Sequence, residues 1–93
     1  MRFPTLFSPF QIAGVTFKNR ILSTGHGTRL ADRRIVNDKL IAYHRARARG
    51  GVGLIITEVA GVHETAYYVS GTLKVNTDEC IPGYRALAKA VHE

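Results

Sequence analysis

The 93-residue chain carries 13 Lys and Arg against 7 Asp and Glu, a formal charge of +6, with 45% apolar and 22% charged residues. That balance excludes a disordered chain, and no apolar run reaches the 18 or so residues of a membrane span. A single cysteine, Cys80, excludes an internal disulfide, and the four histidines lack zinc-type spacing, so no metal site is expected. The N-terminal stretch MRFPTLFSPF has no continuous apolar segment or small-residue cleavage site, so it does not read as a signal peptide and the expected location is cytoplasmic. Residues 10–17 (FQIAGVTF) place two short apolar stretches around Ala13-Gly14, which predicts a tight hairpin.

After Lys18-Asn19-Arg20, residues 21–24 predict a first buried strand, followed by the Gly-rich turn Gly25-His26-Gly27. Residues 31–36 (ADRRIV) read as a loop. Asn37 or Asp38 can cap a helix running to Arg49, where Gly50-Gly51 stops it; with Asn37 as the cap, Val36 can staple onto Ile41. Residues 52–57 (VGLIIT) are the clearest strand, a near-continuous apolar run of the kind buried on both faces of a parallel sheet, and Glu58 marks its end. Residues 59–76 show no helical period. Beyond Thr77-Asp78, Pro82 opens a second helix with Ile81, Tyr84, Leu87, Ala88 and Val91 on one stripe.

The order hairpin, β, loop, α, β, long loop, α gives an α/β class with two βα units joined by a right-handed crossover. Two parallel strands and two helices cannot cover each other's apolar faces. Residues 1–93 are therefore expected to be the N-terminal segment of one larger domain.

Seven of the thirteen basic residues lie between Arg29 and Arg49, which raises a nucleic-acid-binding or protein-binding module without chemistry as an alternative. At 100° per residue Arg45 and Arg49 point away from the apolar positions while Arg47 falls among them, the pattern of a solvated helix face. No aromatic interleaving supports nucleic acid as the partner.

Gly25-x-Gly27 after a strand, with Glu58 ending the next, imitates a dinucleotide fingerprint, so a Rossmann fragment is a further alternative. Leu30 stands where the third glycine belongs, the helix cap comes ten residues after Gly27, and Glu58 lies 31 residues after it instead of about 20. In a β/α barrel, by contrast, ligands meet the C-terminal strand ends and their loops, which would put residues 24–29 and 58–62 on one rim. Glycines at 25 and 27 would let a flat cofactor approach the backbone.

Three stretches carry a resemblance: LFSPFQIAGVTFKNRIL, HRARARGGVGLIITE and DECIPGY, in that order. Together they resemble the N-terminal third or less of the old yellow enzyme family of FMN-dependent NADH:flavin oxidoreductases. The chain is most similar in flavour to its trimethylamine dehydrogenase and 2,4-dienoyl-CoA reductase-like branch. The resemblance implies the hairpin and first two βα units of a (β/α)8 TIM barrel. Its cofactor would be FMN and its possible reductant NAD(P)H, acting on a small-molecule substrate. A 4Fe-4S centre and FAD are implied only for a longer C-terminal extension. It also implies that Thr24, Gly25, His26, Gly27 and Val59 contact the cofactor and that Arg29 borders the substrate, where some ene-reductases carry a tyrosine. Gly27 replaces the cysteine that bonds the flavin in the amine-oxidising branch, so the FMN is expected to be non-covalent. No catalytic residue falls within these residues; the rest of the barrel is required for activity, and a homo-oligomer is open.

Overall fold

The computed structural model describes residues 2–93. The expected hairpin forms from β1 (Phe10–Ile12) and β2 (Val15–Phe17), paired Phe10 to Phe17 and Ile12 to Val15. Ala13 at φ 48° and Gly14 at φ 84° supply the two left-handed residues of the turn type whose twist matches the flanking strands.

Strand β3 (Leu22–Ser23) pairs in parallel with β4 (Leu54–Ile55), Leu22 against Leu54. Both regular segments are shorter than residues 21–24 and 52–57, although the hydrogen bonding reaches further. Gly53 N donates to Ile21 O at 2.9 Å and Ile56 N to Ser23 O at 2.9 Å. Each strand has one hydrogen-bonded neighbour among the described residues, so the ladder ends where the two backbones part.

Asn19 explains why KNRI and GGVGL occur together. It is buried, its side-chain amide donates to Gly51 O at 2.6 Å, and its Oδ1 accepts from Ile21 N at 3.0 Å. One side chain thus ties the start of β3 to the start of β4. Gly53 leaves room for it, since a Cβ there would lie 2.5 Å from Asn19 Oδ1 and 2.7 Å from Asn19 O.

The crossover is α1 (Asp38–Arg49), with Asn37 as its cap: Oδ1 accepts from Leu40 N at 3.0 Å. Gly51, at φ 107°, turns the chain away after the helix. A second parallel pair, β5 (Ala60–Gly61) with β6 (Leu73–Lys74), lies inside the stretch expected to be irregular. Two residues per strand are too few to show a period of two. The 31–36 loop also holds a reversal: Asp32 bridges Ile35, with Arg33 and Arg34 at φ 53° and 62°.

A 3-10 turn (Asp78–Cys80) leads into α2 (Ile81–His92), which packs on α1. Val36, Leu40, Leu73 and Leu87 form the core, with Ile41, Tyr84 and Val91 against it. The predicted α2 stripe is rotated: Ile81 and Ala88 are exposed, while Cys80 and Ala90 are buried. At Gly83 the helix comes close to Val36, whose O and Cβ would each lie 2.9 Å from a Cβ at that position.

The expectation that β4 is buried on both faces is corrected. Ile55 and Thr57 turn toward the helices, whereas Leu54 and Ile56 are 38% and 49% exposed beside Leu22 at 47%. That bare apolar face is the one a barrel would turn inward. The hairpin lies at the opposite end from the Gly-rich turn, where Phe10, Ile12 and Phe17 line a cleft of about 360 Å³ with Ile21, Leu22 and Leu54.

Candidate active-site rim

Parallel pairing of β3 and β4 brings their following segments, 24–30 and 58–59, to the same end of the sheet. The two glycines of the turn have different jobs. A Cβ at Gly25 would lie 3.1 Å from Thr57 O and 3.3 Å from Ile56 Cγ2, so this glycine lets the turn close over the tip of β4. At Gly27 a Cβ would meet nothing within 4 Å. Only Gly27 leaves open space beside the backbone.

His26 lies between them, exposed, with both ring nitrogens engaged. Nδ1 is 2.9 Å from Thr24 O and Nε2 contacts the Tyr43 hydroxyl of α1. A carbonyl can only accept, so Nδ1 carries the proton; in the neutral ring Nε2 then accepts from the tyrosine hydroxyl. Tyr43 meets His26 edge-on, centroids 5.6 Å apart, and the Arg47 guanidinium lies 3.5 Å from the Tyr43 ring centroid. His26 therefore latches the turn to the helix.

Glu58 forms the second tether. The side chain is 4% exposed; Thr28 Oγ1 donates to one carboxyl oxygen at 2.6 Å, and Thr28 N to the other at 3.4 Å. Thr28 Oγ1 in turn accepts from Leu30 N at 3.2 Å, and Asn37 Nδ2 donates to Leu30 O at 2.7 Å. Behind this tether His44 is buried, and among the described residues neither of its ring nitrogens has a hydrogen-bond partner. Burial lowers its pKa; Glu58 pulls the other way, and Arg47 and His26 add to the lowering.

Arg29 sits between the tethered residues at φ 59°. Its Cα lies against Gly71, where a Cβ would be 2.9 Å away. Gly27, Arg29, Glu58, Val59, Tyr68 and Gly71 border a cleft of about 250 Å³. Residues from both strand-end segments and the long 59–76 stretch thus converge. Thr24, Gly25, His26, Gly27 and Val59 are all exposed along this rim.

The Thr28–Glu58 tether, the Tyr43 latch and the contact of Gly71 with Arg29 were not legible in advance. Tyr43 reads as one more apolar helix position, and nothing in the spacing links residues 28 and 58. His63 and Tyr67 shape the long loop itself: His63 Nδ1 accepts from Thr65 N at 3.3 Å, and the Arg34 guanidinium lies 4.4 Å from the Tyr67 ring centroid. No group of three metal-ligating side chains is found among the described residues. No helix among them is long and apolar enough to cross a membrane.

The sequence pattern of the NADH:flavin oxidoreductase / NADH oxidase family matches residues 5–93. The chain belongs to that family. It is 41% identical over 92 residues to the NADH oxidase of Thermoanaerobacter brockii, covering 97% of this chain and 14% of that protein. Among solved structures it is similar to morphinone reductase, with a TM-score of 0.88 and 27% identity over 96% of this chain and 23% of that one. The old yellow enzyme from Trypanosoma cruzi gives 0.87 and 26% over 99% and 25%. The chain thus spans a quarter or less of these relatives. Its fold is the N-terminal part of a (β/α)8 barrel: the hairpin and the first two βα units.

Proposed function

We propose that the whole protein is an FMN-dependent oxidoreductase of the old yellow enzyme type, and that residues 1–93 are the first segment of its single flavin-binding barrel domain. The reading rests on one observation above all: both strand-end segments lie on a common rim beside the open backbone at Gly27. The rim fits a flat cofactor. Thr24, Gly25, His26 and Gly27 form an exposed, mostly small-residue edge, and Val59 adds an apolar surface that is 45% exposed.

Those five residues would hold the ring, with Gly27 giving the closest backbone approach. FMN, when bound, supplies hydride transfer, with the hydride taken from NAD(P)H or an amine and passed on to a small-molecule acceptor. This chain's part is to position: His26 fixes the turn through Thr24 O and Tyr43, and Glu58 fixes the other arm through Thr28. The flavin is non-covalent in this reading. Position 27 has no side chain, and the only thiol in residues 1–93, Cys80, is buried at the start of α2, where it donates to Thr77 O at 2.8 Å.

The remaining barrel units would supply the phosphate site and the groups that bind substrate oxygen. A 4Fe-4S centre and FAD belong to the proposal only for a chain that continues past the barrel. The reading places the protein in the cytoplasm. The basic segment is read as structural because two of its arginines turn inward. Arg34 Nη1 donates to Val69 O at 2.7 Å and Thr72 O at 3.1 Å, and Arg47 covers Tyr43.

The test is reconstitution of the full-length protein with FMN, alone and as His26→Ala and Tyr43→Phe. Both variants should weaken flavin retention and shift its visible spectrum, because each breaks the same latch. Unchanged spectra, affinity and turnover in both would remove the rim assignment. A colourless protein that takes up no FMN would remove the function.

A further inference from the structure

Arg29 combines three properties. Its backbone is left-handed at φ 59°, a conformation that costs a non-glycine residue energy and persists only where its surroundings over-determine it. Here they do. Thr28 is held by Glu58, Leu30 N is held by Thr28 Oγ1, Leu30 O is held by Asn37 Nδ2, and the Arg29 Cα rests on Gly71. Four segments of the chain are thereby engaged in keeping one exposed arginine in a strained pose. In addition, its guanidinium has no carboxylate or carbonyl partner among the described residues, unlike that of Arg34.

What the strain achieves is direction. The Arg29 stem packs on Gly71 at the border of the 250 Å³ cleft, which Gly27 and Val59 of the proposed flavin rim also line, together with Tyr68. Glu58 also borders this cleft, but its two oxygens are occupied by Thr28. A planar cation with five donors, fixed at the root and unpaired at the tip, is complementary to a carboxylate, which it can grip with two parallel hydrogen bonds.

We propose that this cleft is a carboxylate subsite, so that the protein takes a small carboxylate-bearing substrate and Arg29 selects it. The inference rests on the flavin reading of the rim. It adds the chemical class of the substrate and the residue that recognises it.

The test uses the full-length, FMN-loaded protein with benzoate and benzamide as shape-matched probes, followed by the change in flavin absorbance. Wild type should bind benzoate about tenfold or more tighter than benzamide, the factor expected of charge-assisted hydrogen bonds. Arg29→Gln should lower benzoate affinity to the amide's level, and Arg29→Lys should recover part of it, with flavin retention unchanged in both. Equal binding of the two probes by wild type, or a benzoate preference that survives in Arg29→Gln, would overturn the subsite while leaving the flavin reading intact. Loss of flavin from Arg29→Gln would also overturn it, because the guanidinium would then be holding the cofactor's phosphate. A protein that binds no FMN at all removes both readings together.

Discussion

Gly53→Ala is the substitution for which the geometry gives the largest effect. The added methyl would lie 2.5 Å from Asn19 Oδ1, 2.7 Å from Asn19 O and 3.3 Å from Asn19 C. Two of these atoms belong to the backbone, so no rotamer change relieves the overlap. Either the start of β3 moves away from β4 or Asn19 gives up its bonds to Gly51 O and Ile21 N. The first response costs about 1–3 kcal/mol as overpacking, and the second about 1 kcal/mol for each of two part-buried hydrogen bonds. Either way the loss is about 2 kcal/mol. With a urea slope of about 4 kcal/mol/M for a protein several times longer than this segment, the unfolding midpoint of the full-length protein should fall by about 0.5 M. Gly27→Ala, measured in the FMN-free protein, is the control: with nothing within 4 Å of the new methyl, it should change stability by less than about 0.5 kcal/mol. Asn19→Ala should be destabilising alone yet should cost less in a Gly53→Ala background, since one of the clashing atoms is gone. A Gly53→Ala midpoint within about 0.1 M of wild type would refute the clash argument.

Three further outcomes follow from other features. Burial holds the His44 pKa below its ordinary 6.5, so on acidification the unfolded chain takes up a proton there first. Its contribution is whole above about pH 6.5 and is lost as the pH falls toward the folded pKa; urea midpoints measured at about pH 7.5 and 5.0 should converge in His44→Leu. Gly14→Ala should lower stability by about 1 kcal/mol, because φ 84° suits only glycine, while Ala13→Gly at φ 48° should be neutral or stabilising; thermal unfolding reads both. Gly71→Ala places a methyl 2.9 Å from the Arg29 Cα and should reduce the preference for benzoate over benzamide without bleaching the flavin.

What could be read from the amino-acid order divides along the range of the interactions. The hairpin, the Asn37 cap and the Gly50-Gly51 stop rest on contacts within a few residues, and all three occur where the residue types place them. VGLIIT forms a strand, as its apolar run predicts, but one face of it is exposed. Its sequence shows only that the run is apolar, and the neighbours that would cover Leu54 and Ile56 lie outside it. The rotation of α2 escaped for a similar reason. Helical periodicity points to the stripe through Ile81 and Ala88, but which face goes inward depends on packing against Val36, Leu40 and Leu73, contacts far away in sequence.

The rim shows the same division more sharply. Its location followed from strand order, since any parallel βα pair sends its loops to one end. Its construction did not, because each working contact spans a distance the sequence does not record: Thr28 with Glu58 across 30 residues, His26 with Tyr43 across 17, Arg29 with Gly71 across 42. Gly25 is the instructive case. As one of a Gly-x-Gly pair it suggests room for a ligand, yet its missing Cβ accommodates Thr57 O of the neighbouring strand end. Two glycines two residues apart thus act on opposite sides of the turn. One lets the protein close on itself and the other keeps it open outward, and an exposed rim backed by a closed sheet needs both.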